Sequence, residues 1–435
     1  MNDSIAIIGA GAVGISSAIH LQQRGWKVTL IDRREPASET SWGNAGVINP
    51  ASFVPLNNPD LHRSLMRYLR NNSGSLRYQL GHLIRHMPWV LGFLDASKTR
   101  RARKNSLALH SLTRQALDEH LALMQRTGNA RRFTESGWLK VFRHGGPDRA
   151  AQSLESFGGR LMHELGIEIR MLNPQELQIR EPALKPIFAS AYHLVAGGIV
   201  DNPGLMLREH ADRFVADGGT RIEGEVTAIT EADDGVTFTL NGDKHRTDHL
   251  LIAAGPWSGD LLARAGFDVT LAVERGYHAH YTLAGDHVPK HSVHDIDGEY
   301  IVGPMTGGLR LTTGVELAPR DAPSSFSQLE QVEPRLFEAF DVVGRTEEPV
   351  WRGARPTLPD SVPVIGALPR SERLWVNFGH QHIGMMTGPV SGKLVSQLLS
   401  GESPDADMKA FAPSRWIRRR RASHGGRWMG RRLGG

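Results

Sequence analysis

Three glycines near the start of the chain have the spacing of a phosphate-binding turn. They lie in Gly9-Ala10-Gly11-Ala12-Val13-Gly14, between the buried apolar run Ser4–Ile8 and an amphipathic run that ends at Gly25. In such a strand-turn-helix unit the first glycine permits the tight turn, the second lets the backbone approach a pyrophosphate, and the third lets helix and strand pack closely. Asp32 ends the next apolar run, where a carboxylate can accept hydrogen bonds from ribose hydroxyls. The sequence therefore predicts a dinucleotide site within a βαβ unit.

The composition is that of a large globular protein. The chain has 435 residues, 40% of them apolar and 22% charged, and it contains no cysteine, which excludes disulfides, thiolate metal sites and a catalytic thiol. The formal net charge is +5, but 414–435 alone carries eight arginines and no acid, so the remainder is net negative. A basic face for nucleic acid is therefore not expected on the folded body. The uncharged run 4–21 is broken by glycines and does not read as a membrane span.

Further motifs follow in a fixed order along the chain. Glu39-Thr40-Ser41-Trp42-Gly43-Asn44-Ala45-Gly46 comes after the second strand, and Leu250-Leu251-Ile252-Ala253-Ala254-Gly255-Pro256-Trp257 lies in the middle of the chain. Near the other end are Gly353-Ala354-Arg355-Pro356 and Asn377-Phe378-Gly379-His380-Gln381-His382-Ile383-Gly384-Met385-Met386-Thr387. Taken together, these motifs resemble the FAD-dependent D-amino-acid dehydrogenases, within the wider group of glycine and D-amino-acid oxidases, over the whole chain.

The resemblance implies FAD rather than a nicotinamide dinucleotide, because only one glycine fingerprint is present and a reductase cysteine pair is absent. It implies an α/β fold: a discontinuous Rossmann-like FAD-binding domain with a second, α+β substrate domain on a mostly antiparallel sheet. The residues expected to bind the cofactor are Gly9, Gly11, Ala12, Val13, Gly14, Asp32, Arg33, Ser41, Asn44, Ala45, Gly46, Val226, Ala254, Gly255, Trp257, Gly379, His380, Gly384, Met385, Met386 and Thr387.

An arginine is the natural anchor for the carboxylate of an amino acid, since its planar guanidinium binds both oxygens at once. Arg352 and Arg355 compete for this role, with a surface ion pair as the plainer alternative for either. The resemblance favours Arg355, which matches the Gly-x-Arg-Pro position of the carboxylate-binding arginine. We expect the amino acid to be bound there.

A predicted strand from Glu274 to Tyr281 supplies the other catalytic candidates. With a period of two, Tyr277 shares one face with Tyr281, and His278 shares the opposite face with His280. The resemblance suggests Tyr277, His278 and Tyr300 beside the substrate, and ordinary packed sheet residues are the alternative. The paired histidines 278/280 and 380/382 lack an evident third ligand, so no metal site is predicted.

The domains are expected to interleave. The FAD-binding domain takes 1–55, 198–272 and 346–413, the substrate domain takes 56–197 and 273–345, and 414–435 is a basic, disordered tail. Within these parts we predict a helix over 106–126 and another over 389–399. The segment 61–104 carries ten lysines or arginines against one acid, interleaved with apolar residues. It suits either a helix pair packed on the substrate domain or a segment lying in a bilayer interface.

The resemblance implies oxidation of a D-amino acid by hydride transfer to FAD. The product is an imino acid, hydrolysed to a 2-oxo acid and ammonia, or a cyclic imine from a proline-like substrate. The alternatives are an oxidase or demethylase acting on glycine, sarcosine or another secondary amine, and a flavin subunit of a multi-subunit dehydrogenase. Electrons are expected to pass to a quinone or another acceptor. A cytoplasmic location, with or without peripheral contact at the inner face of the cell membrane, fits these expectations.

Overall fold

The structure is a computed structural model that describes residues 3–285 and 287–420, apart from the side chains of 63–67. Its strands, in chain order, are β1 (Ser4–Ile8), β2 (Lys27–Asp32), β3 (Val47–Ile48), β4 (Leu76–Tyr78), β5 (Phe133–Glu135), β6 (Trp138–Phe142), β7 (Ile169–Leu172), β8 (Ser190–Leu194), β9 (Gly198–Val200), β10 (Thr220–Glu223), β11 (Val226–Ala232), β12 (Gly235–Leu240), β13 (Asp243–Thr247), β14 (His249–Ile252), β15 (Phe267–Val269), β16 (Ala272–Leu283), β17 (Ser292–Asp295), β18 (Tyr300–Met305), β19 (Gly308–Thr312), β20 (Val315–Leu317), β21 (Val342–Arg345), β22 (Trp351–Thr357), β23 (Val364–Ala367), β24 (Leu374–Phe378) and β25 (Ile417–Arg419).

The α-helices of the same residues are α1 (Ala12–Gln23), α2 (Asp60–Leu69), α3 (Leu80–Arg85), α4 (Met87–Ala96), α5 (Thr99–Thr127), α6 (Arg149–Ser153), α7 (Phe157–Glu164), α8 (Pro174–Arg180), α9 (Pro203–Ala216), α10 (Ser258–Arg264), α11 (Ser327–Ala339) and α12 (Gly384–Leu399).

The predicted βαβ unit opens a mainly parallel sheet, which we call the parallel sheet. Its order is β10-β2-β1-β14-β24-β23. Among the described strands of this sheet, only β23 runs antiparallel to its neighbour. Alternate β1 side chains enter different cores: Ile5 and Ile7 pack with the helical layer that includes α1, α5, α9 and α12, whereas Ala6 and Ile8 pack towards the meander β11–β13. A sheet covered on both faces explains the continuous apolar run in the sequence.

A second, larger sheet, which we call the large sheet, is built mostly from antiparallel pairs. Its main path is β4-β20-β16-β19-β18-β17-β6-β8-β7, and both β21 and β22 also pair with β16. One face packs against α11 around Tyr281 and Leu311. The α/β class and the mostly antiparallel second sheet agree with prediction.

Two predicted boundaries are corrected by the strand pairing. The expected return to the FAD-binding domain at 346 places β22 in that domain, yet β22 pairs with β16 along seven residues, so the large sheet continues to Thr357. The expected disordered tail at 414 begins too early. Arg415 forms an ion pair with Asp360 at 3.0 Å, and β25 pairs antiparallel with β15. Residues 421–435 of that tail lie outside the described residues.

The helix predicted from 389 begins five residues earlier, at Gly384. Pro389 is the sixth residue of α12, so its missing N–H leaves the Met385 carbonyl without its intrahelical donor, and His120 Nε2 lies 3.0 Å from that carbonyl instead. Small residues bring α12 close to α1: a Cβ at Gly392 would lie 2.7 Å from Ser16 backbone, and one at Gly388 would lie 3.1 Å from the Ala12 carbonyl. This contact sets the two helix N-termini side by side.

Candidate functional site

A cavity of about 820 Å³ lies where the parallel sheet meets the large sheet. Its walls include the segments that directly follow β1, β2, β14 and β24, so it opens at the carboxyl ends of the parallel strands, the usual ligand position in such sheets. The large sheet supplies the other walls, including Thr312, Trp351 and Arg355. Nucleotide and substrate candidates therefore share one cavity.

The glycine turn has the backbone geometry that its sequence predicts. Gly9 has φ +114°, and a Cβ there would lie 2.5 Å from the Ala253 carbonyl oxygen. A Cβ at Gly14 would overlap the Gly9 carbonyl, so this glycine lies behind the cavity and sets the strand-helix distance. Gly11 is the N-cap of α1, which has neither a capping side chain nor an acid in its first turn. Apart from Ala12 N, which donates to Ser41, the first-turn amides and the positive end of the helix dipole suit a pyrophosphate, so the turn fits FAD.

Asp32 borders the cavity but also braces the turn. Its carboxylate accepts hydrogen bonds from Ala10 N at 2.6 Å and Arg34 N at 3.1 Å. Burial raises the pKa of this carboxyl above its ordinary value, against the effect of the two amides. Beside it, the Arg33 guanidinium lies 4.2 Å from the ring centroid of Trp257, and both side chains line the cavity.

The segment 41–46 forms the next part of the wall. The Ser41 hydroxyl accepts a hydrogen bond from Ala12 N at 3.1 Å and thereby ties the segment to α1. The Asn44 side chain accepts from Gly46 N at 2.9 Å and donates to the His382 carbonyl at 3.4 Å. Gly46 itself lies behind the wall, where its φ of +77° and the neighbouring Val200 carbonyl leave no room for a side chain.

The segment 379–387 closes the cavity from the side of β24. Gly379 has φ +90°, and Gly384, Met385 and Met386 line the cavity as the first turn of α12, which contains no acid. Burial lowers the pKa of His380 to about 3, so its ring is neutral. Thr387 lies deeper, where its hydroxyl donates to the Ile383 carbonyl at 2.9 Å. Val226, Ala254 and Gly255 also line the cavity.

Strand alternation separates the two competing arginines. Trp351 and Arg355 both line the cavity, whereas Arg352 points elsewhere and donates to the Ala322 carbonyl at 2.7 Å. Arg355 donates to the Gly314 carbonyl at 3.3 Å, and its guanidinium covers Gly276 so closely that a Cβ there would overlap it. Its cross-strand neighbour is Glu274, a carboxylate only 1% exposed whose pKa burial raises while Arg355 lowers it. A guanidinium held in this way can bind a carboxylate inside the cavity.

The structure does not place Tyr277 or His278 in the cavity. The rings of His278 and His280 lie side by side, with centroids 5.0 Å apart. Tyr277 does not line the cavity, and its hydroxyl donates to Glu316 at 2.6 Å. His278 is on the nearer face, yet Trp351 stacks on it at 4.8 Å and its Nδ1 lies 3.2 Å from the Gly43 carbonyl. Both side chains are therefore corrected to supporting positions.

Tyr300 borders the cavity, but its ring belongs to the core beneath the large sheet. Its hydroxyl lies 3.5 Å from the Arg335 carbonyl, and burial raises its pKa well above the ordinary value. Alternation along β18 is the reason, since Ile301 faces the opposite way. Tyr300 is therefore also unsuited to contact substrate through its hydroxyl.

Sequence reasoning missed several cavity residues. Trp351, Tyr68 and His382 line the cavity, and Glu274 lies behind Arg355. His382 lies deep in the protein and yet is exposed, because the cavity opens onto it. The position of Glu274 beside Arg355 follows only from the pairing of β16 with β22, which the sequence does not show. Within 3–285 and 287–420, no three histidine, aspartate or glutamate side chains are grouped so that they could hold a metal ion.

Comparison with known proteins gives a consistent result. Residues 4–398 match the family model described as FAD dependent oxidoreductase. The chain is 30% identical over 421 residues to a D-amino-acid oxidase of Bradyrhizobium diazoefficiens, covering 95% of this chain and 99% of that one. It is 27% identical to a D-amino acid dehydrogenase of Dechloromonas aromatica, over 93% and 98% of the two chains.

Solved structures share the fold. Glycine oxidase from Geobacillus kaustophilus superposes with a TM-score of 0.71 at 21% identity, covering 94% of this chain and 98% of the other. L-proline dehydrogenase from P. horikoshii has a TM-score of 0.71 at 16% identity, covering 95% and 97%. The glycine turn, the cavity at the strand ends and the match over most of the chain lead to one conclusion: this chain belongs to the family of FAD-dependent oxidoreductases.

Proposed function

We propose that this protein oxidises the Cα–N bond of a D-amino acid, giving an imino acid while the two electrons pass to FAD. The observation that carries the proposal is Arg355, a guanidinium facing the same cavity as the glycine turn. An acid group bound there would be held against the cofactor site. The names of the relatives, a D-amino-acid oxidase and a D-amino acid dehydrogenase, support the substrate class.

The chain's own contribution is binding and orientation. Arg355 would fix the substrate carboxylate through two parallel hydrogen bonds, with Glu274 behind it offsetting part of the buried positive charge. His380 beside the cavity is neutral and adds no second charge. When bound, FAD supplies the acceptor for the hydride that leaves Cα. The amine must lose its proton first, and water then hydrolyses an acyclic imine.

We propose that FAD is held by the predicted residues that line the cavity, from the glycine turn to Met386. Gly14, Gly46 and Thr387 contribute from behind the wall. In this proposal the parallel sheet binds the cofactor, and the large sheet, including β22, forms the wall against which the substrate binds.

Anaerobic bleaching of the flavin tests this function directly. Purified holoenzyme would be mixed with D- and L-amino acids, including both proline enantiomers, together with glycine and sarcosine, and the absorbance near 450 nm followed. We expect D-amino acids to bleach the flavin and their L-enantiomers to bleach it far more slowly. Bleaching by glycine or sarcosine alone would favour the amine oxidase alternative, and no bleaching by any amine would contradict the proposal.

The electron acceptor is a separate question within the same function. The relatives include both an oxidase and a dehydrogenase. We propose a quinone or another carrier as the acceptor. After anaerobic reduction, reoxidation by a soluble quinone analogue should be at least tenfold faster than reoxidation by dissolved oxygen. The opposite order would identify an oxidase.

We further propose peripheral membrane contact through 61–104. Within the described residues no helix is both long enough and apolar enough to cross a bilayer. Helices α3 and α4, however, expose a row of apolar side chains, among them Leu80 (65%), Ile84 (59%) and Leu91 (60%). Arginines and lysines lie in the same segment, a combination that suits an anionic lipid surface.

Vesicle sedimentation tests this contact. We expect the enzyme to bind vesicles containing phosphatidylglycerol more strongly than phosphatidylcholine vesicles, and the double substitution Ile84→Glu and Leu91→Glu to abolish binding without changing flavin content. Ile179→Glu is the matched control, because Ile179 is 81% exposed on a different helix. Equal binding by both variants, or none by the unmodified enzyme, would contradict the contact.

A further inference from the structure

The wall segment 42–44 directs three successive carbonyl groups towards the large sheet. The Arg310 guanidinium donates to the Trp42 carbonyl at 3.2 Å and to the Asn44 carbonyl at 2.7 Å. The intervening Gly43 carbonyl lies 3.2 Å from His278 Nδ1. One cation from β19 therefore holds both ends of this short turn, and a ring from β16 holds its centre.

The orientation of these carbonyls determines where the amides point. In a trans peptide the C=O of one residue and the N–H of the next point in opposite directions, and no cis peptide occurs in the described chain. The Trp42 and Asn44 carbonyls face Arg310, so the N–H groups of Gly43 and Ala45 face away from it. Both residues line the cavity. Among the described residues neither N–H has a hydrogen-bond acceptor, so both are left to a ligand.

Arg310 is itself held by a chain of side chains. It is only 3% exposed, its Nε donates to His280 Nε2 at 2.9 Å, and His280 Nδ1 contacts Glu348. Because Nε2 accepts, the proton of the neutral ring must be on Nδ1, where it is donated to the carboxylate. No carboxylate in the described residues lies within ion-pair distance of Arg310, so its polar partners are the two carbonyls and the ring. Burial lowers the pKa of Arg310 to about 10, which still leaves it charged at neutral pH.

We propose that Arg310 is a positioning residue for the cofactor: it fixes the segment 42–45 so that the Gly43 and Ala45 amides donate to acceptor atoms of bound FAD. His280 and Glu348 fix Arg310 in turn. The inference deepens the proposed function, but it rests only on FAD occupying the cavity and not on the identity of the amino acid. It also gives His278 and His280, which have the spacing of a metal pair, another role: His278 contacts the Gly43 carbonyl, and His280 accepts a hydrogen bond from Arg310.

The affinity of the apoprotein for FAD is the direct test. Flavin fluorescence quenching would be measured for the unmodified chain, for Arg310→Met and for Arg310→Lys. We expect Arg310→Met to weaken FAD binding by roughly tenfold or more, because charge-assisted hydrogen bonds to two carbonyls are lost. Arg310→Lys should have a smaller effect, since an ammonium keeps the charge but cannot span both carbonyls. Arg345→Met is the matched control, because Arg345 lies on β21, a different strand of the large sheet, and pairs with Glu333 of α11.

A second readout separates positioning from general destabilisation. With FAD saturating, Arg310→Met should slow bleaching by a D-amino acid, while the substrate concentration at half-maximal rate changes by less than about threefold. Should Arg310→Met fail to fold, His280→Leu removes the partner of Nε and should weaken FAD binding by roughly threefold. FAD affinity within twofold of the unmodified chain for every folded variant would overturn the proposal. If the unmodified enzyme oxidised no amino acid but the variants still bound FAD more weakly than it does, that result would count against the proposed function alone.

Discussion

We expect the two ends of the cavity to recognise their ligands in different ways. At the glycine turn, Gly9, Gly11 and Gly14 offer backbone amides and empty space, and the whole element is built from consecutive residues. At the other end, the proposed substrate anchor is the single side chain of Arg355, which packs on Gly276 from one distant strand and donates to the Gly314 carbonyl from another part of the same sheet. We therefore expect the proposed cofactor end to be sensitive to any added atom, and the proposed substrate end to be sensitive to the identity of one side chain and to the strand register that supports it.

The largest effect is expected from Gly14→Ala. The new methyl group would overlap the Gly9 carbonyl, which is backbone and cannot move without shifting β1 from α1. A cost of ~3 kcal/mol or more in the free energy of unfolding and loss of bound flavin should follow. The ratio of absorbance near 450 nm to that at 280 nm would measure the loss of bound flavin. Gly81→Ala is the control, because nothing lies within 4 Å of a Cβ there, and equal flavin content in both variants would contradict the close packing.

Arg355→Met should abolish most substrate binding and leave the cofactor in place. Losing a bidentate charged contact in a buried site should lower kcat/KM by about 100-fold or more. Steady-state kinetics with a dye acceptor would measure this, alongside flavin content. Arg352→Met, on the same strand but directed at a loop carbonyl, should retain activity. If Arg352→Met were the damaging change, the roles of the two arginines would have to be exchanged.

Gly276→Ala tests whether the support of Arg355 matters as much as Arg355 itself. Its methyl group would push the guanidinium from its place, and the side chain is flexible enough to move without unfolding the sheet. We expect the substrate concentration at half-maximal rate to rise by roughly tenfold, with the melting temperature lowered by only a few degrees. Unchanged substrate affinity would mean that the register between β16 and β22 tolerates the displacement.

Acid should weaken the helical layer beneath the glycine turn. Burial lowers the pKa values of His20 and His120 to about 4, with Arg24 and Lys393 adding to the effect at His20. The unfolded histidines bind protons below about 6.5, so stability is full above that pH and falls as the pH drops towards 4. Each of these histidines should lower the free energy of unfolding by about 2 kcal/mol at pH 5. His120→Gln keeps a donor for the Met385 and Met386 carbonyls and should reduce the fall in melting temperature between pH 7.5 and 5, whereas an unchanged fall would exclude His120 as a cause.

Prediction from sequence succeeded where the structure is local. The glycine turn, the place of Asp32 at the end of β2 and the β16 strand follow from patterns of neighbouring residues, and the helix predicted over 106–126 is the interior of α5. Prediction failed where pairing between distant strands decides the outcome. The cavity side of β16 depends on its contact with β22 and α11, so the sequence could not exclude Tyr277 or identify Glu274. The start of α12 at Gly384 was hidden by Pro389, a residue type that usually begins or breaks a helix and that here lies inside one.

The antiparallel pairing of β25 with β15 has a practical consequence for handling this protein. The partner of β25, strand β15, leads within a few residues into β16, and β16 pairs with the strand that carries Arg355. Truncating the chain after 413, as the arginine-rich composition invites, would remove both β25 and the Arg415 ion pair with Asp360. Purification handles and truncations intended to spare the enzyme should therefore leave residues up to Arg420 intact.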